Sequence, residues 1–414
     1  MLDIQFIRDN RETVEIKSRQ KGYQVDVVRL LDLDEKRRGL LGQIDEVRAK
    51  RNELAAKLKQ SKPGPEQIEQ GKTLKTKISE LENELQPVEN DYQKLLKSVP
   101  NLQFDGVPIG GEDASLEIKK VGAQTAGAKD HLQLASERGW LDFERGAKVA
   151  GNKFYYLTGD LALLENAVTQ FALQFVIQKG FQFMTVPHMV SSRILTGTGF
   201  APRSSEQSDE YGIDGEDLSL IATAEIPLTG YHADEILDEA NLPLMYVALS
   251  PCYRKEAGTY GKHTHGLFRV HQFNKLEMYA FCLPENSQAM HEQLLNTQEQ
   301  LWQTIGIPYH IINIASGDLG APAAKKYDIE YWSPVDGTYR ELTSCSNCTD
   351  YQTRNLNIRV RRKSGQIEML HSLNGTAAAL ARSLVAIIEN FQTPQGKVMI
   401  PEVLRPFMGG KSEI

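Results

Sequence analysis

Four cysteines among 414 residues are too few for a disulfide framework, and such sparse use points to a reducing compartment. Cys345 and Cys348 form a Cys-x-x-Cys pair, but a structural zinc site needs four ligands and no second pair exists, Cys252 and Cys282 standing apart. His263, His265 and His271 would have to complete the set, two of them from a glycine-rich loop, so no structural zinc is expected. No apolar run is long enough to span a membrane. The opening MLDIQFIRDNRE has an acid at position 3 and neither the apolar core of a secretory signal nor the acid-poor pattern of a transit peptide. A cytoplasmic chain with no membrane partner is therefore expected. The P-loop and the Gly-x-Ser-x-Gly elbow are missing too, and no covalent nucleophile stands out. Cations are in the minority. The net charge of −7 excludes indiscriminate nucleic-acid binding, so any such partner must meet a local basic patch.

What is present is an ordinary globular composition, 41% hydrophobic and 24% charged, in a chain long enough for two or three domains. Residues 1–25 read as a short opening segment. From about Arg29 to Gln60 the chain is charged and free of proline, with Ile44, Val47, Leu54 and Leu58 at heptad-compatible spacing. Ser61-Lys62-Pro63-Gly64-Pro65 breaks it. Leu74, Ile78, Leu81, Leu85, Val88, Tyr92 and Leu95 then alternate four and three residues apart, an a/d seam. Two such helices should fold back as an antiparallel hairpin with legs of roughly 45 Å, and Pro87 should kink the second leg or remove a hydrogen bond. The distal half is basic: Arg48, Lys50, Arg51, Lys57, Lys59, Lys62, Lys72, Lys75 and Lys77 stand against Glu53, Glu66 and Glu69. A solvated coiled-coil surface and a nucleic-acid backbone contact both fit that pattern.

Beyond Ser98-Val99-Pro100-Asn101, residues 102–135 look like an irregular linker. Asp160 caps a helix that Lys179-Gly180 stops. Phe181–Pro187 reads as a short strand, either an inter-subunit contact or part of the core. Residues 193–220 are polar and glycine-rich, a candidate mobile loop, and 220–225 form an apolar strand ending in a Thr-Ala-Glu turn. The stretch from Ser250 to Tyr279 reads as two strands joined by a long loop. Alternation puts Arg254 and Glu256 on one face, and it separates Leu276 and Met278 from Lys275 and Glu277. A helix around 285–304 and a strand at 339–347 follow. His371–Thr376 then opens a last helix whose only cation is Arg382.

Glu225, Arg254, Glu256, Glu277, Glu341 and Arg382 are the charged residues these elements carry in isolation. Singly, each is more often a structural ion pair. Together they describe a site for a nucleotide, a metal and a small zwitterion. Arg254 and Arg382 suit a phosphate, Glu341 with Ser344 supplies hard oxygens for Mg²⁺, and Glu225 with Glu277 suits an ammonium group.

Phe181–Pro187, Tyr253–Glu277 and Asn374–Gln392 resemble the three signature motifs of class II aminoacyl-tRNA synthetases. More narrowly, Thr223-Ala224-Glu225, RKEAG at 254–258 with HQFNKLE at 271–277, ELTSCSNCTD at 341–350 and PEVLRPFMGG at 401–410 resemble the bacterial-type seryl-tRNA synthetase family. The basic hairpin is similar to that family's tRNA-binding arm, and the likeness covers essentially the whole chain. It implies an α+β fold, with a mixed, mostly antiparallel sheet flanked by helices in a catalytic and dimerising domain, 102–414. An antiparallel coiled-coil arm, 1–101, precedes it. It implies ATP-dependent ligation of L-serine to tRNA(Ser) through a seryl-adenylate, Mg²⁺, a homodimer, and tRNA(Sec) as a further substrate where the organism has one.

Carried over residue by residue, the resemblance gives serine to Thr223, Ala224, Glu225, Arg254, Glu277 and Thr376. It gives ATP to Arg254, Lys255, Glu256, Phe273, Glu341, Leu342, Thr343, Ser344 and Arg382, with Phe273 stacked on adenine, Arg382 on the distal phosphates, and Glu341 and Ser344 shared with the metal. Arg48, Lys50, Arg51, Lys57, Lys59, Lys72, Lys75, Lys77 and Lys262 would meet tRNA. The loop Lys262-His263-Thr264-His265-Gly266 departs from the family's usual Arg-Asp-Thr-Arg-Gly. Two rivals are a relative that loads a carrier protein, which typically lacks the arm, and a non-catalytic RNA-binding paralogue or coiled-coil adaptor, which loss of Arg254, Glu277 or Arg382 would have indicated.

Overall fold

The computed structural model describes residues 1–58, 64–200, 210–256 and 266–414. Two compact units divide the chain, Met1–Pro100 and Asn101–Ile414.

The first unit is helical: α1 (Ile4–Asp9), α2 (Arg11–Gln20), α3 (Val27–Leu58) and α4 (Pro65–Ser98). The opening segment thus holds two helices, with the Asp3 carboxylate accepting from the Gln5 and Phe6 amides at the start of α1 and Ile7 and Val14 buried. α3 and α4 form the expected hairpin, and Leu40, Ile44, Leu81 and Val88 bury its seam. Near the end of α4 the buried position is Leu96, not Leu95. A helix of 3.6 residues per turn drifts by that amount against a strict heptad. Pro87 does not end the helix, since α4 runs through it to Ser98. The one backbone bond lost there is outweighed by apolar burial at Leu81 and Val88 on either side.

The second unit begins with β1 (Leu116–Val121), α5 (His131–Glu137), β2 (Leu141–Asp142), α6 (Phe143–Ala150), β3 (Tyr156–Leu157), α7 (Gly159–Gln178), β4 (Gln182–Met184) and β5 (Met189–Ser191). It continues through α8 (Ser192–Gly197), β6 (Tyr211–Gly212), β7 (Leu218–Leu220), α9 (Glu225–Gly230), β8 (Ile236–Asp238), β9 (Leu244–Tyr253), β10 (Gln272–Cys282) and α10 (Ser287–Ile305). The last elements are β11 (Tyr309–Asn313), β12 (Lys325–Ser333), β13 (Thr338–Asn347), α11 (Tyr351–Asn355), β14 (Arg359–Arg361), β15 (Ile367–Met369), β16 (His371–Ala379) and α12 (Leu380–Asn390). Eight strands make one sheet in the order β1-β11-β12-β13-β16-β10-β9-β4. Every pairing in it is antiparallel except β4 with β9. α7, α10 and α12 bury their apolar stripes in the core formed with this sheet, where Leu164, Val168, Leu294, Trp302, Leu384 and Ile388 are fully enclosed. Gly306 stops α10 in the left-handed region, φ 92°, a conformation costly for any residue with a Cβ.

Five expectations change. The presumed linker contains β1, which is exposed along most of its length and held through its backbone to β11, so no apolar alternation marks it. Thr158, not Asp160, is the cap residue of α7. The loop 193–220 holds α8, β6 and β7, and 201–209 lie outside the described residues. The apolar run 220–225 leaves its strand at Leu220, and Glu225 opens α9 instead, with Pro227 in the first turn, where a missing N–H costs little. The stretch 371–376 is likewise no helix start but part of β16, between β13 and β10. A central strand buried on both faces shows no period of two, and its small residues mimic helix propensity.

Candidate active site

β10 supplies the site's floor. Glu277 stands opposite Ala248 of β9 and Thr376 of β16, the latter pairing reached through a register shift after Leu276. Both faces of β10 are buried from Lys275 onward, so Lys275 and Glu277 face a walled site and not solvent. The Glu277 carboxylate accepts from the Thr376 hydroxyl at 3.0 Å and pairs with the Lys275 ammonium at 2.7 Å. Gln298, from α10, ties the neighbouring strands together by donating to the carbonyls of Ser344 and Thr376.

A second carboxylate lies beside the first. Glu225 is 6% exposed and accepts from the side-chain amides of Gln352 at 2.7 Å and Asn374 at 2.9 Å. Gln352 is itself fixed by donation from the Tyr279 and Ser372 hydroxyls. Burial first, and then the Glu277 charge, push the Glu225 carboxyl up to about 7. The Thr223 hydroxyl accepts from the Glu225 amide at 3.2 Å, and Ala224 precedes the helix fully buried. These residues build a polar floor with two adjacent carboxylates, suited to a small cation that also carries hydroxyl and carboxylate groups.

Away from that floor opens a cleft of about 300 Å³, lined by Arg254, Glu256, Phe268, Phe273, Lys326, the run Glu341–Ser344, Thr376 and Arg382, among others. Arg254 lies just past the end of β9, and Glu256 has φ 51°, so the strand ends before the expected alternation of these two applies. The Arg254 guanidinium sits 5.3 Å from the Phe273 ring centroid and donates to the Ala222 carbonyl at 3.3 Å. Arg382 pairs with Glu341 at 3.0 Å and lies over the Phe268 ring at 4.7 Å. Burial alone would raise the Glu341 carboxyl, but Arg382 and Lys326 outweigh it and hold it well below the usual carboxylate range. Lys326 also pairs with Asp328 at 2.9 Å. The other Asp328 oxygen, Oδ1, is buried and has no hydrogen-bond partner among the described residues, and burial pushes that carboxyl up despite the ammonium beside it.

Of the residues expected for serine and nucleotide, Arg254, Glu256, Phe273, Glu341–Ser344, Thr376 and Arg382 line the cleft, whereas Thr223, Ala224, Glu225 and Glu277 belong to the buried floor. Lys255 is turned to the Tyr211 ring, 5.5 Å from its centroid, and does not line the cleft. Lys262, with the rest of the 257–265 loop, lies outside the described residues, as do Lys59 and Lys62. Arg48, Lys50, Arg51, Lys57, Lys72, Lys75 and Lys77 are exposed on the hairpin. Several already have acidic neighbours: Arg48 with Glu82 at 2.8 Å, Lys57 with Glu53 at 2.8 Å, and Lys72 with Glu69 at 3.8 Å. Asn374, Gln352, Lys275, Lys326 and Asp328 were not singled out in the sequence. Lys275 shares the parity of Glu277, and Asn374 lies two residues before Thr376, signals that were available. Gln352 gives none, because its role depends on a long-range contact. Cys345 and Cys348 are both buried, and the Cys348 sulfur lies 3.6 Å from the Asn374 amide nitrogen.

Comparison with known proteins bears on both units. Residues 1–103 match the family described as the seryl-tRNA synthetase N-terminal domain, and 209–391 match the tRNA synthetase class II core domain (G, H, P, S and T). A serine–tRNA ligase from Dictyoglomus turgidum is 44% identical over 418 residues, 99% of this chain and 98% of that protein. One from Treponema denticola is 41% identical over 419 residues, 99% of each chain. Among solved structures, seryl-tRNA synthetase from Pyrococcus horikoshii complexed with ATP superposes with a TM-score of 0.90 at 39% identity, covering 100% of this chain and 99% of that one. The cytoplasmic serine–tRNA ligase of Naegleria fowleri in complex with AMP gives 0.85 at 33% identity, covering 100% and 98%.

Proposed function

This chain belongs to the seryl-tRNA synthetase family of class II aminoacyl-tRNA synthetases, and from that premise we propose how its cleft ligates L-serine to tRNA at the expense of ATP. A serine carboxylate oxygen attacks the α-phosphorus, the bond to the β-phosphate breaks, and pyrophosphate leaves. The tRNA's terminal ribose hydroxyl then attacks the adenylate carbonyl and releases AMP. No protein nucleophile is required, so the chain's part is positioning and charge stabilisation.

One observation carries the assignment of roles: two interacting buried carboxylates, Glu225 and Glu277, with Thr376 bonded to the second and lining a cleft that also holds Arg254 and Arg382. Glu225 and Glu277 hold the serine ammonium and orient its hydroxyl with Thr376, while Thr223 and Ala224 shape the wall. Arg254 faces both the serine carboxylate and the α-phosphate, and Phe273 lies under adenine. Arg382 takes the distal phosphates, and Glu256, Leu342 and Thr343 complete the nucleotide wall. Mg²⁺ fits the hard oxygens of Glu341 and Ser344, and the orphaned Asp328 oxygen, opposite Ser344 in the strand register, belongs to the same donor-rich corner. The ion, when bound, neutralises phosphate charge. The exposed hairpin cations contact tRNA(Ser). A homodimer in the cytoplasm, and charging of tRNA(Sec) where that tRNA exists, complete the proposal. Among the described residues no helix is long and apolar enough to cross a membrane. Serine-dependent ATP–pyrophosphate exchange is the test. Exchange that ran equally well without serine, or with alanine in its place, would reject the assignment.

A further inference from the structure

We infer that His131 and Glu389 form a positioning dyad for the nucleotide end of the cleft, holding the turn Gly266–Phe268 against α12. His131 opens α5 and is 2% exposed. Its Nε2 accepts the Leu267 backbone N–H at 3.3 Å, and its Nδ1 lies 2.9 Å from Glu389 Oε1. A backbone amide only donates, so Nε2 carries the lone pair and the ring proton sits on Nδ1, facing the carboxylate. Glu389 Oε2 in turn accepts from the Ser333 hydroxyl at 2.9 Å and the Tyr331 hydroxyl at 3.4 Å. Asp130 stands 3.6 Å from Nδ1, but its carboxylate accepts from the Leu132 and Gln133 amides at the start of α5. Asp130, His131 and Glu389 are close enough to surround a cation. With Nδ1 protonated and Nε2 engaged, however, the imidazole has no lone pair to offer one. The cluster is a hydrogen-bond relay.

Two further contacts give the relay its target. Gly266 has φ +63°, and a Cβ there would come within 2.3 Å of His131 Nε2, so only glycine lets the imidazole reach the next amide. Arg382, about two turns before Glu389 on the same helix, lies over the Phe268 ring and donates to the Phe268 carbonyl at 3.4 Å. α12 therefore grips this turn at two points, through Arg382 directly and through Glu389 and His131. Releasing the second grip lets Phe268 shift and spoils the aim of Arg382. The inference rests on the reading of Arg382 as the cation for the distal phosphates.

Two substitutions separate the halves of the relay. In His131→Gln an amide group reaches roughly the position of Nε2 and keeps an acceptor for Leu267. In His131→Asn it reaches only that of Nδ1 and keeps Glu389 alone. Since either change severs the link from α12 to the turn, H131N and H131Q should each raise KM for ATP about tenfold in pyrophosphate exchange, with KM for serine unchanged. A KM for ATP within about twofold of the parent in either variant, or lowered melting temperatures with both KM values unmoved, would overturn the inference. Gly266→Ala covers the case in which the buried variants do not fold, because its methyl displaces the imidazole from the turn side. It should reproduce the ATP-specific rise, and an unchanged KM there overturns the inference as well. Arg382→Ala, run alongside, tests the underlying reading separately. Near-normal exchange in that variant rejects the phosphate role of Arg382, whereas loss of exchange there with unmoved His131 variants rejects the dyad alone.

Discussion

Glu225 is the buried carboxylate proposed to meet the serine ammonium. Burial and the neighbouring Glu277 push it up to about 7, so in the absence of serine it takes a proton near neutrality. The ammonium of serine favours the ionised form, and binding should therefore release a proton. As pH falls through about 7, KM for serine should rise about tenfold per unit, with KM for ATP nearly flat. A raised carboxyl contributes stability that is present at low pH and lost as pH rises through its folded value. Glu225→Gln keeps an acceptor oxygen for Gln352 and Asn374 without the charge. It should melt higher than the parent at pH values above about 7, with little difference near pH 4, while serine activation disappears. A parallel pH dependence of both melting curves would refute that account. The remaining selectivity is proposed to lie with Thr376 and Glu277. A site that hydrogen-bonds a hydroxyl rejects the analogue lacking it by about 10⁴ or more. Thr376→Ala should raise KM for serine and narrow the margin over alanine, and Glu277→Gln should cost much more, since a charge-assisted bond goes with it. Thr376 lies within β16, in mid-strand and not at a helix start. The alternative is a buried structural hydrogen bond, which would lower the melting temperature and leave the serine-to-alanine ratio of kcat/KM unchanged.

At the scale of elements, the hairpin was the most legible part of the chain. A seam at heptad spacing on two runs separated by Pro and Gly dictates its own partner, and Ile44, Leu81 and Val88 are buried accordingly. The sheet was less legible where its strands are central or at the edge. β16 is buried throughout apart from its first residue, which erases alternation, and β1 is solvated, which hides it as linker. The charged and polar residues of the site were readable as types, but their contacts were not. Glu277 meets Thr376 through a register shift, and Gln352 reaches Glu225 across a sequence separation of 127, neither of which local pattern encodes. Since the seam of α3 and α4 is self-contained, deleting residues 29–97 should leave serine-dependent pyrophosphate exchange close to the parent and reduce kcat/KM for aminoacylation by at least about 10². A truncated protein that charged tRNA at the original kcat/KM would show that the arm is not the tRNA clamp.

Taken whole, the molecule is acidic, with a net charge of −7, yet the surfaces proposed for its two anionic partners handle charge differently. The hairpin cations are solvent-exposed, and tRNA affinity should fall steeply between roughly 50 and 200 mM salt as counterions are no longer released to advantage. The cleft instead brings its own counterions. Lys275 is matched by Glu277, Lys326 by Asp328, Arg382 by Glu341 and Arg269 by Glu256. On the proposed roles each ligand enters as a substitute partner: a phosphate would take Arg382 from Glu341, and an ammonium would take Glu277 from Lys275. Affinity for ATP and serine should consequently be nearly insensitive to salt over that same range, and the calorimetric heat of each should be small, being the difference between a bond made and a bond surrendered. The exchange also links the ligands to one another, because the carboxylate that Arg382 gives up is the one proposed for the metal, so nucleotide and Mg²⁺ should each tighten the other's binding.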